Sequence, residues 1–469
     1  MNITDSTPSP AGATGLWRAE FSATMALAVP IALTQLGQIA MMTSDLALIG
    51  RLGDTAVAAA ALGHVVLYVG FMICLGLANA VAPLASQAVG ARNPEAARRA
   101  LHVGLWVVTL FAIPLVAVQL HSYPILKALG QPEDVALLAG RYLDGLSWSM
   151  APACWFIAIR NFMSSLDRPQ PGLWITLAAI PMNTVLAYAL IHGSLGLPQL
   201  GMLGAGVATT IVNVGMCLAA GWVCIARAPF RDYRPLDGFW RPDGALTVKL
   251  LVIGLPISGA FLLEYSLFGA AAVMMGWIDT TAMVGHQIAL QVAAIVFMVP
   301  LGIGLAATVR VGHAAGRRDA TAARRSGFAA VALGILFMSA MALLVSAFRH
   351  EIPLLFLGGD ADAHTVSLTA HLLILGATFF IADGIQTIAA GGLRGINDTR
   401  VPLLFSAASF WLVGFAVAYV LAFTLGYGAE GVWIGLSAGV FTYALLLIWR
   451  MAVLLRRPGL PDAVPAPAG

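Results

Sequence analysis

Charged residues are scarce in this chain. Asp, Glu, Lys and Arg together make up 10% of its 469 residues, whereas hydrophobic residues make up 59%. The mean hydropathy of +0.87 lies far outside the range of soluble globular domains. The apolar runs leave almost no room for a soluble catalytic domain. The composition therefore predicts an all-α polytopic membrane protein embedded in the lipid bilayer.

Motifs for enzymes, metal centres and nucleic-acid binding are also missing. The chain contains no HExxH, DDxxD or GxSxG pattern, and HEIPL at His350 lacks the second histidine of a zinc site. The four cysteines lie in apolar runs without CxxC spacing, so we interpret them as small core residues. The net charge of +3 is spread over loop ends, which excludes a nucleic-acid partner. We expect neither an enzyme nor a resident cofactor.

Twelve apolar runs are long enough to cross a bilayer of about 30 Å as helices. Charged residues or clusters of Pro and Gly bound each run and set its ends to within a few residues. The predicted spans are 22–49, 56–86, 101–120, 136–159, 171–192, 203–226, 247–276, 282–309, 327–348, 364–391, 402–424 and 430–449.

Basic residues predict the orientation of the chain. Both termini and nearly all of the 25 lysines and arginines fall on one side of the spans; the exceptions are Arg51, Lys127, Arg141 and Arg349. The positive-inside rule makes this side cytoplasmic. The preference for Arg over Lys is typical of a GC-rich bacterial genome, so we expect a multi-pass protein of the bacterial inner membrane. Residues 1–16 and 456–469 are expected to be a disordered lead and tail.

The sequence repeats itself at an offset of about 226 residues. Pro30 aligns with Pro256, and residues 90–99 align with residues 316–325, with glycine and arginines at matching positions. Each repeat holds six spans, an even number, so the two halves enter and leave on the same side. The repeats are therefore parallel, an arrangement typical of transporters with a substrate path between the halves.

The repeat defines the predicted domain organisation. The longest polar stretch lies between the halves and is expected to link them in the cytoplasm. We predict an N-lobe with helices 1–6 (17–226), a linker (227–248) and a C-lobe with helices 7–12 (249–455), arranged around a central cavity.

Glu264 and Asp383 stand inside long apolar runs of the second half, where no neighbour in sequence neutralises them. An acidic side chain at the centre of a membrane helix costs about 2.5–3.5 kcal/mol, so such residues usually face a polar cavity and serve ions, protons or a ligand. The repeat places Gln38 and Ser149 at the corresponding positions of the first half. This asymmetry favours a site that needs negative charge. The alternative is a neutral carboxylic acid hydrogen-bonded to a neighbouring helix.

Asp45 is the acid of the first half, about 9 Å from the outer end of the first predicted helix. It is either a cavity acid that binds protons or a cationic substrate, or a helix-end residue reached by water. Asn183 is a candidate partner, although asparagines in membranes also join helices by hydrogen bonds. Gln38 and Gln287 are further polar candidates for the cavity.

Several motifs resemble those of one transporter family. They are PISGAFLLEYSLF around Glu264, VGHQIAL around His286, VRVGHAAGRRD at 309–319, ADGIQTIAAGGLRGIND at 382–398 and, in the first half, PLASQAVGA at 83–91. Together they resemble the multidrug and toxic compound extrusion (MATE) family, in its NorM-like branch, over about residues 20–455. The resemblance implies a twelve-helix, two-lobe antiporter that expels organic cations in exchange for sodium ions or protons.

The resemblance also implies roles for single residues. In the family, acids at the positions of Glu264 and Asp383 bind the coupling cation, and an acid at the position of Asp45 is needed for transport. Some relatives carry a cation-contacting Tyr where this chain has Phe379. A Na⁺ site at Glu264 and Asp383 thus lacks a hydroxyl ligand, which leaves proton coupling open. Asn183 matches a polar position that some relatives use.

We therefore predict a monomeric multidrug efflux antiporter that exports amphipathic organic cations in exchange for Na⁺, H⁺ or both by alternating access. The alternative is a flippase for a lipid-linked or glycan precursor. A flippase cavity is expected to carry several basic residues for pyrophosphate. This sequence shows acids in its predicted spans and almost no mid-helix Arg or Lys.

Overall fold

A computed structural model describes residues 10–194, 196–241, 243–358 and 362–456 of the chain, and the regular structure in these ranges is helical. Four short segments are 3₁₀ or π turns rather than α-helix. The helices are α1 (Pro10–Gly50), α2 (Asp54–Asn79), α3 (Val81–Gly90), α4 (Pro94–Leu120), α5 (Ser122–Ala128), α6 (Glu133–Leu146), α7 (Met150–Ser165), α8 (Gln170–His192), α9 (Met202–Ala226), α10 (Gly244–Ile278), α11 (Thr280–Gly316), α12 (Ala320–Ala347), α13 (Glu351–Leu357), α14 (Ala363–Gly395), α15 (Arg400–Ala407), α16 (Ala416–Tyr419) and α17 (Gly428–Leu454).

Within the described residues, eleven helices are long and apolar enough to cross a membrane. α2 and α3 run on from one another and count as one span, Asp54–Gly90. α15 and α16 belong to another, Arg400–Thr424, which also contains π turns at Ala408–Phe415 and Val420–Thr424. The chain is an all-helical polytopic membrane protein, as the composition predicts.

The fourth predicted span, 136–159, is not a single α-helix. α6 ends at Leu146, a 3₁₀ turn covers Ser147–Ser149, and α7 follows at once. Pro152 has no N–H to donate to the carbonyl oxygen of Trp148, four residues earlier, so regular α-helical bonding is interrupted here. α6 and α7 together occupy the region of this fourth predicted span, the one that is absent from the eleven.

The amino-terminal boundary also differs from the prediction. α1 begins at Pro10, inside the segment expected to be a disordered lead. Proline is tolerated in the first turn of a helix, because the N–H that it lacks would have no helical partner there. The membrane-spanning part of this helix begins at Trp17. Residues 1–9 and 457–469 of the predicted lead and tail lie outside the described residues.

The two halves meet closely at the helix ends that carry the arginines. Gly90, at the end of α3, packs on the backbone of α11, where a Cβ atom would lie 2.2 Å from the carbonyl oxygen of His313. Gly316, at the end of α11, packs on α3, where a Cβ atom would lie 2.1 Å from the carbonyl oxygen of Gln87. The repeat relates the two contacts, so the crossing has the pseudo-two-fold symmetry of parallel repeats.

Ion pairs join the halves at the same face. Glu20 of α1 is buried and forms ion pairs with Arg310 of α11 and with Arg325 of α12, the latter at 3.0 Å. In the corresponding place of the other half, Arg99 of α4 lies 3.1 Å from Asp243, the residue that caps α10. In each half, an ion pair to the other half contacts the first helix, α1 or α10, near its amino-terminal end.

We expect Gly316→Ala to destabilise the protein by about 1–3 kcal/mol, because the added methyl group meets backbone that has no room to yield. The measurement is thermal unfolding of the purified protein in detergent. Gly276→Ala is the matched control, since a Cβ at this helical glycine meets nothing within 4 Å. Equal melting temperatures for the two variants would contradict the close crossing.

We expect Glu20→Gln to lower the free energy of unfolding by about 1–3 kcal/mol, because Arg310 and Arg325 lose their carboxylate. The same thermal measurement applies. Glu95→Gln is the control: this carboxylate is 57% exposed and lies 3.9 Å from Arg99, and exposed pairs contribute at most about 1 kcal/mol. A Glu20 variant as stable as the control would rule out the network as a clamp.

Candidate functional site

A cavity of about 470 Å³ lies between the two halves, within the size range of ligand-binding sites. The first half contributes residues of α1, α2 and α7, and the second half contributes residues of α10, α11, α14 and α17. Most of the wall is apolar. Its polar lining consists of Gln35, Asn79, Arg160, Glu264, Tyr265, Asp383, Gln386, Thr387, Arg394 and Tyr443.

The structure brings Glu264 and Asp383 together on the wall of this cavity. The amide nitrogen of Gln386 donates to Glu264 Oε1 at 2.9 Å and to Asp383 Oδ1 at 2.8 Å. Asp383 and Gln386 lie three residues apart on α14 and so share one helix face, while Glu264 comes from α10. The chain thus places two carboxylates around one neutral amide in a largely apolar cavity.

Gln386 is a site residue that the sequence reasoning missed. A neutral amide costs little in a membrane helix, so hydropathy gives it no prominence. Its spacing of three residues from Asp383 is the signal that could have revealed it.

Aromatic side chains form the wall beside the acids. The ring of Phe379, which the sequence names as a candidate cavity residue, lies edge-on to Phe268 at 6.0 Å and to Trp433 at 5.9 Å on the cavity wall. Its role in binding substrate or cation stays a prediction. Tyr265 stacks on Tyr68 of the other half at 6.1 Å between ring centroids. These rings present flat apolar surfaces with π faces that attract cations.

Two arginines also line the cavity, which corrects the expectation of a cavity with almost no mid-helix Arg or Lys. Arg160 of α7 donates to Gln35 Oε1 at 2.8 Å and is only 4% exposed. Arg394 of α14 lies over the ring of Phe261 at 5.1 Å. Basic residues near span ends are typical topology signals, so the pattern alone does not place these two side chains inside the cavity. Their recurrence in both halves was the available clue.

Asp45 belongs to a second polar cluster, separate from the cavity lining. Its carboxylate accepts hydrogen bonds from Asn183 Nδ2 at 2.5 Å and from Thr209 Oγ1 at 3.1 Å. Asn183 is therefore in contact with Asp45, while Thr209 of α9 is a partner that the sequence reasoning did not find. The cluster joins α1, α8 and α9 within the first half. Both Asp45 and Asn183 are buried.

The remaining polar candidates lie elsewhere. Gln38 is half-buried and Gln287 is exposed, and neither is among the residues that line the 470 Å³ cavity. Their role in binding substrate or cation stays a prediction.

A coupling cation at the acid pair would need more than carboxylates. Within the part of the chain that the structure describes, no three His, Cys, Asp or Glu side chains cluster as metal ligands. Hard cations prefer oxygen ligands, and Gln386 can supply one, because a half-turn of its amide exchanges the nitrogen for the oxygen. The amide oxygen would then lie where the nitrogen now contacts both carboxylates.

Comparison with known sequences gives the same family for both halves. The MatE family profile matches residues 30–189 and 256–420. A "Probable multidrug resistance protein NorM" from Bradyrhizobium diazoefficiens is 58% identical over 439 residues, which cover 93% of this chain and 94% of the relative. A "Multidrug resistance protein NorM" from Burkholderia vietnamiensis is 39% identical over 91% of this chain and 92% of its own length.

Solved structures share the fold at low sequence identity. The eukaryotic MATE transporter AtDTX14 superposes with a TM-score of 0.83 at 20% identity, over 93% of this chain and 96% of that one. The outward-facing conformation of a multidrug resistance MATE family transporter of the MOP superfamily gives a TM-score of 0.82 at 19% identity, over 93% and 97%. The chain therefore belongs to the MATE family, in its NorM-like branch, and is a membrane transporter rather than an enzyme.

Proposed function

We propose that this protein is a multidrug efflux antiporter that exports amphipathic organic cations in exchange for Na⁺ or H⁺. The observation that supports this most directly is the pair of carboxylates, Glu264 and Asp383, joined through Gln386 on the wall of a drug-sized cavity. Relatives that cover nearly the whole chain are named for multidrug resistance.

Exchange follows from competition for the two carboxylates. Neighbouring negative charges repel one another strongly where water is scarce, and a metal cation, a proton or an organic cation relieves this repulsion. Ligands that need the same carboxylates exclude each other. Different affinities of the two ligands for the inward-open and outward-open states then drive the exchange.

The cavity wall accounts for a broad substrate range. Phe268, Phe379 and Tyr265 offer apolar and π surface to a flat organic cation. Such surfaces discriminate weakly between molecules of similar size, whereas a dense hydrogen-bonding pattern would select one substrate.

The Asp45 cluster is the proposed coupling site of the first half. Its carboxylate lies on α1, which also carries Gln35 on the cavity wall. The two residues are ten positions apart, about 15 Å along the helix. A proton or cation bound at Asp45 can therefore act on the cavity through α1.

Alternating access requires the face that holds Gly90 and Gly316 to open. The positive-inside rule makes this the cytoplasmic face and places both termini there. Residues 17–226 and 249–455 act as the two lobes, and 227–248 links them. One chain supplies both lobes and both sets of acids, so we propose a monomer as the working unit.

A flippase for a lipid-linked or glycan precursor is the second candidate. Arg160 and Arg394 favour it, because guanidinium groups bind pyrophosphate. Glu264 and Asp383 on the same wall oppose the binding of such an anion. Transport of a fluorescent organic cation by the reconstituted protein separates the two candidates, because a lipid flippase leaves this compound where it is.

Glu264→Gln and Asp383→Asn each remove one carboxylate and keep the shape of the side chain. We expect either change to reduce efflux of a fluorescent organic cation from cells by about tenfold or more, because the cation loses a charged partner. Asp134→Asn is the matched control, since Asp134 is exposed at the start of α6. Efflux at the wild-type rate in either cavity variant would refute the role proposed for that residue.

Asp45→Asn separates coupling from substrate binding. Because Asp45 lies outside the cavity lining, we expect this variant to bind a fluorescent cation within about twofold of the wild-type affinity, by anisotropy, while Glu264→Gln weakens binding about tenfold. Transport in proteoliposomes should fall in both variants. Wild-type transport driven by a Na⁺ gradient alone or by a proton gradient alone identifies the coupling ion. Equal losses of binding would place Asp45 in the substrate site instead.

A further inference from the structure

Arg160 is a buried charge with very few partners. Its guanidinium has five N–H donors, and the described residues supply one acceptor, Gln35 Oε1 at 2.8 Å, together with the ring of Phe156 at 6.0 Å. Within the described part of the chain it forms no ion pair with a carboxylate. A charged side chain that is 96% shielded from water normally has a counter-charge.

The repeat shows how the surroundings of Arg160 differ from those of its counterpart in the second half. Its counterpart Arg394 has the negative charge of Glu264 nearby. The first half carries Gln38 where the second carries Glu264, so Arg160 lacks the acid that its counterpart has.

Arg160 lines the same cavity as the acid pair. It lines the wall contributed by the first half, whereas Glu264 and Asp383 line the wall contributed by the second. A guanidinium fork and a carboxylate make paired, parallel hydrogen bonds, which are among the strongest neutralising contacts for a buried arginine. A carboxylate is therefore the chemical group that suits this guanidinium best.

We propose that Arg160 is an anion subsite that binds the carboxylate of amphoteric substrates, whose cationic end lies at Glu264 and Asp383. This rests on the proposed export of organic cations and deepens it, since a substrate with both charges bridges the two lobes. Without ligand, Gln35 accepts a hydrogen bond from the guanidinium, and the ligand carboxylate replaces Gln35 as the acceptor.

The test uses two probes with one fluorophore. Tetramethylrhodamine carries a free carboxylate, and tetramethylrhodamine methyl ester carries the same cation without it. We expect Arg160→Gln to lower the ratio of acid to ester efflux by about tenfold, as expected for a lost charge-assisted pair. Arg160→Lys, which keeps the charge but not the fork, should fall between. Arg168→Gln, the same change at an exposed arginine nearby, should leave the ratio at the wild-type value.

Gln35→Glu provides a second variant that keeps Arg160. The new carboxylate should form an ion pair with the Arg160 guanidinium, so the acid probe should lose binding affinity relative to the ester. Anisotropy of both probes with the purified wild-type protein and this variant decides the matter even if Arg160→Gln does not accumulate in the membrane. An equal effect on both probes, or no effect on either, overturns the anion subsite.

The results also distinguish this proposal from the one on which it rests. Failure of the wild-type protein to export the ester would refute cation export. Export of the ester together with an acid-to-ester ratio that ignores Arg160 would refute the subsite alone.

Discussion

A charge held away from water needs a partner, and this constraint organises the interior of the molecule. Glu20 lies between two arginines, Asp45 accepts from an amide and a hydroxyl, and the cavity acids share Gln386. Each arrangement joins different helices, so the polar contacts determine which helices are neighbours. Apolar packing could satisfy many other arrangements of the same spans. The polar partners select this one.

Backbone chemistry explains how much of the fold the sequence predicts. A membrane helix must satisfy its backbone internally, so long apolar runs translate directly into spans. The fourth span broke this pattern because Pro152 interrupts the bonding locally. Side-chain partnership is harder to predict, since Thr209 and Gln386 are neutral and inexpensive in any helix. Their importance depends on which neighbour they face, and that is a property of the packed bundle.

The repeat is symmetric in its backbone and asymmetric in its charges. The crossing of α3 and α11 appears twice with matching glycines, as two copies of one architecture require. The cavity-lining positions differ instead: Phe261 stands where the first half has Gln35, and Glu264 where it has Gln38. Comparison of the halves therefore separates positions kept for architecture from those changed for chemistry. Arg160 and Arg394 are the same residue type at matching positions, and the change from Glu264 to Gln38 leaves only Arg394 with that acid nearby.

Glycine brings no side chain to the crossing of Gly90 and Gly316. Two backbones in contact lose about a quarter to a half of their van der Waals attraction at a gap of about 0.5–1 Å. Opening this face also breaks the ion pairs of Glu20 with Arg310 and Arg325, which join the halves at the same place. This face is therefore either in full contact or out of contact. A transporter needs that property, because a partly open face would give ions an uninterrupted path through the membrane.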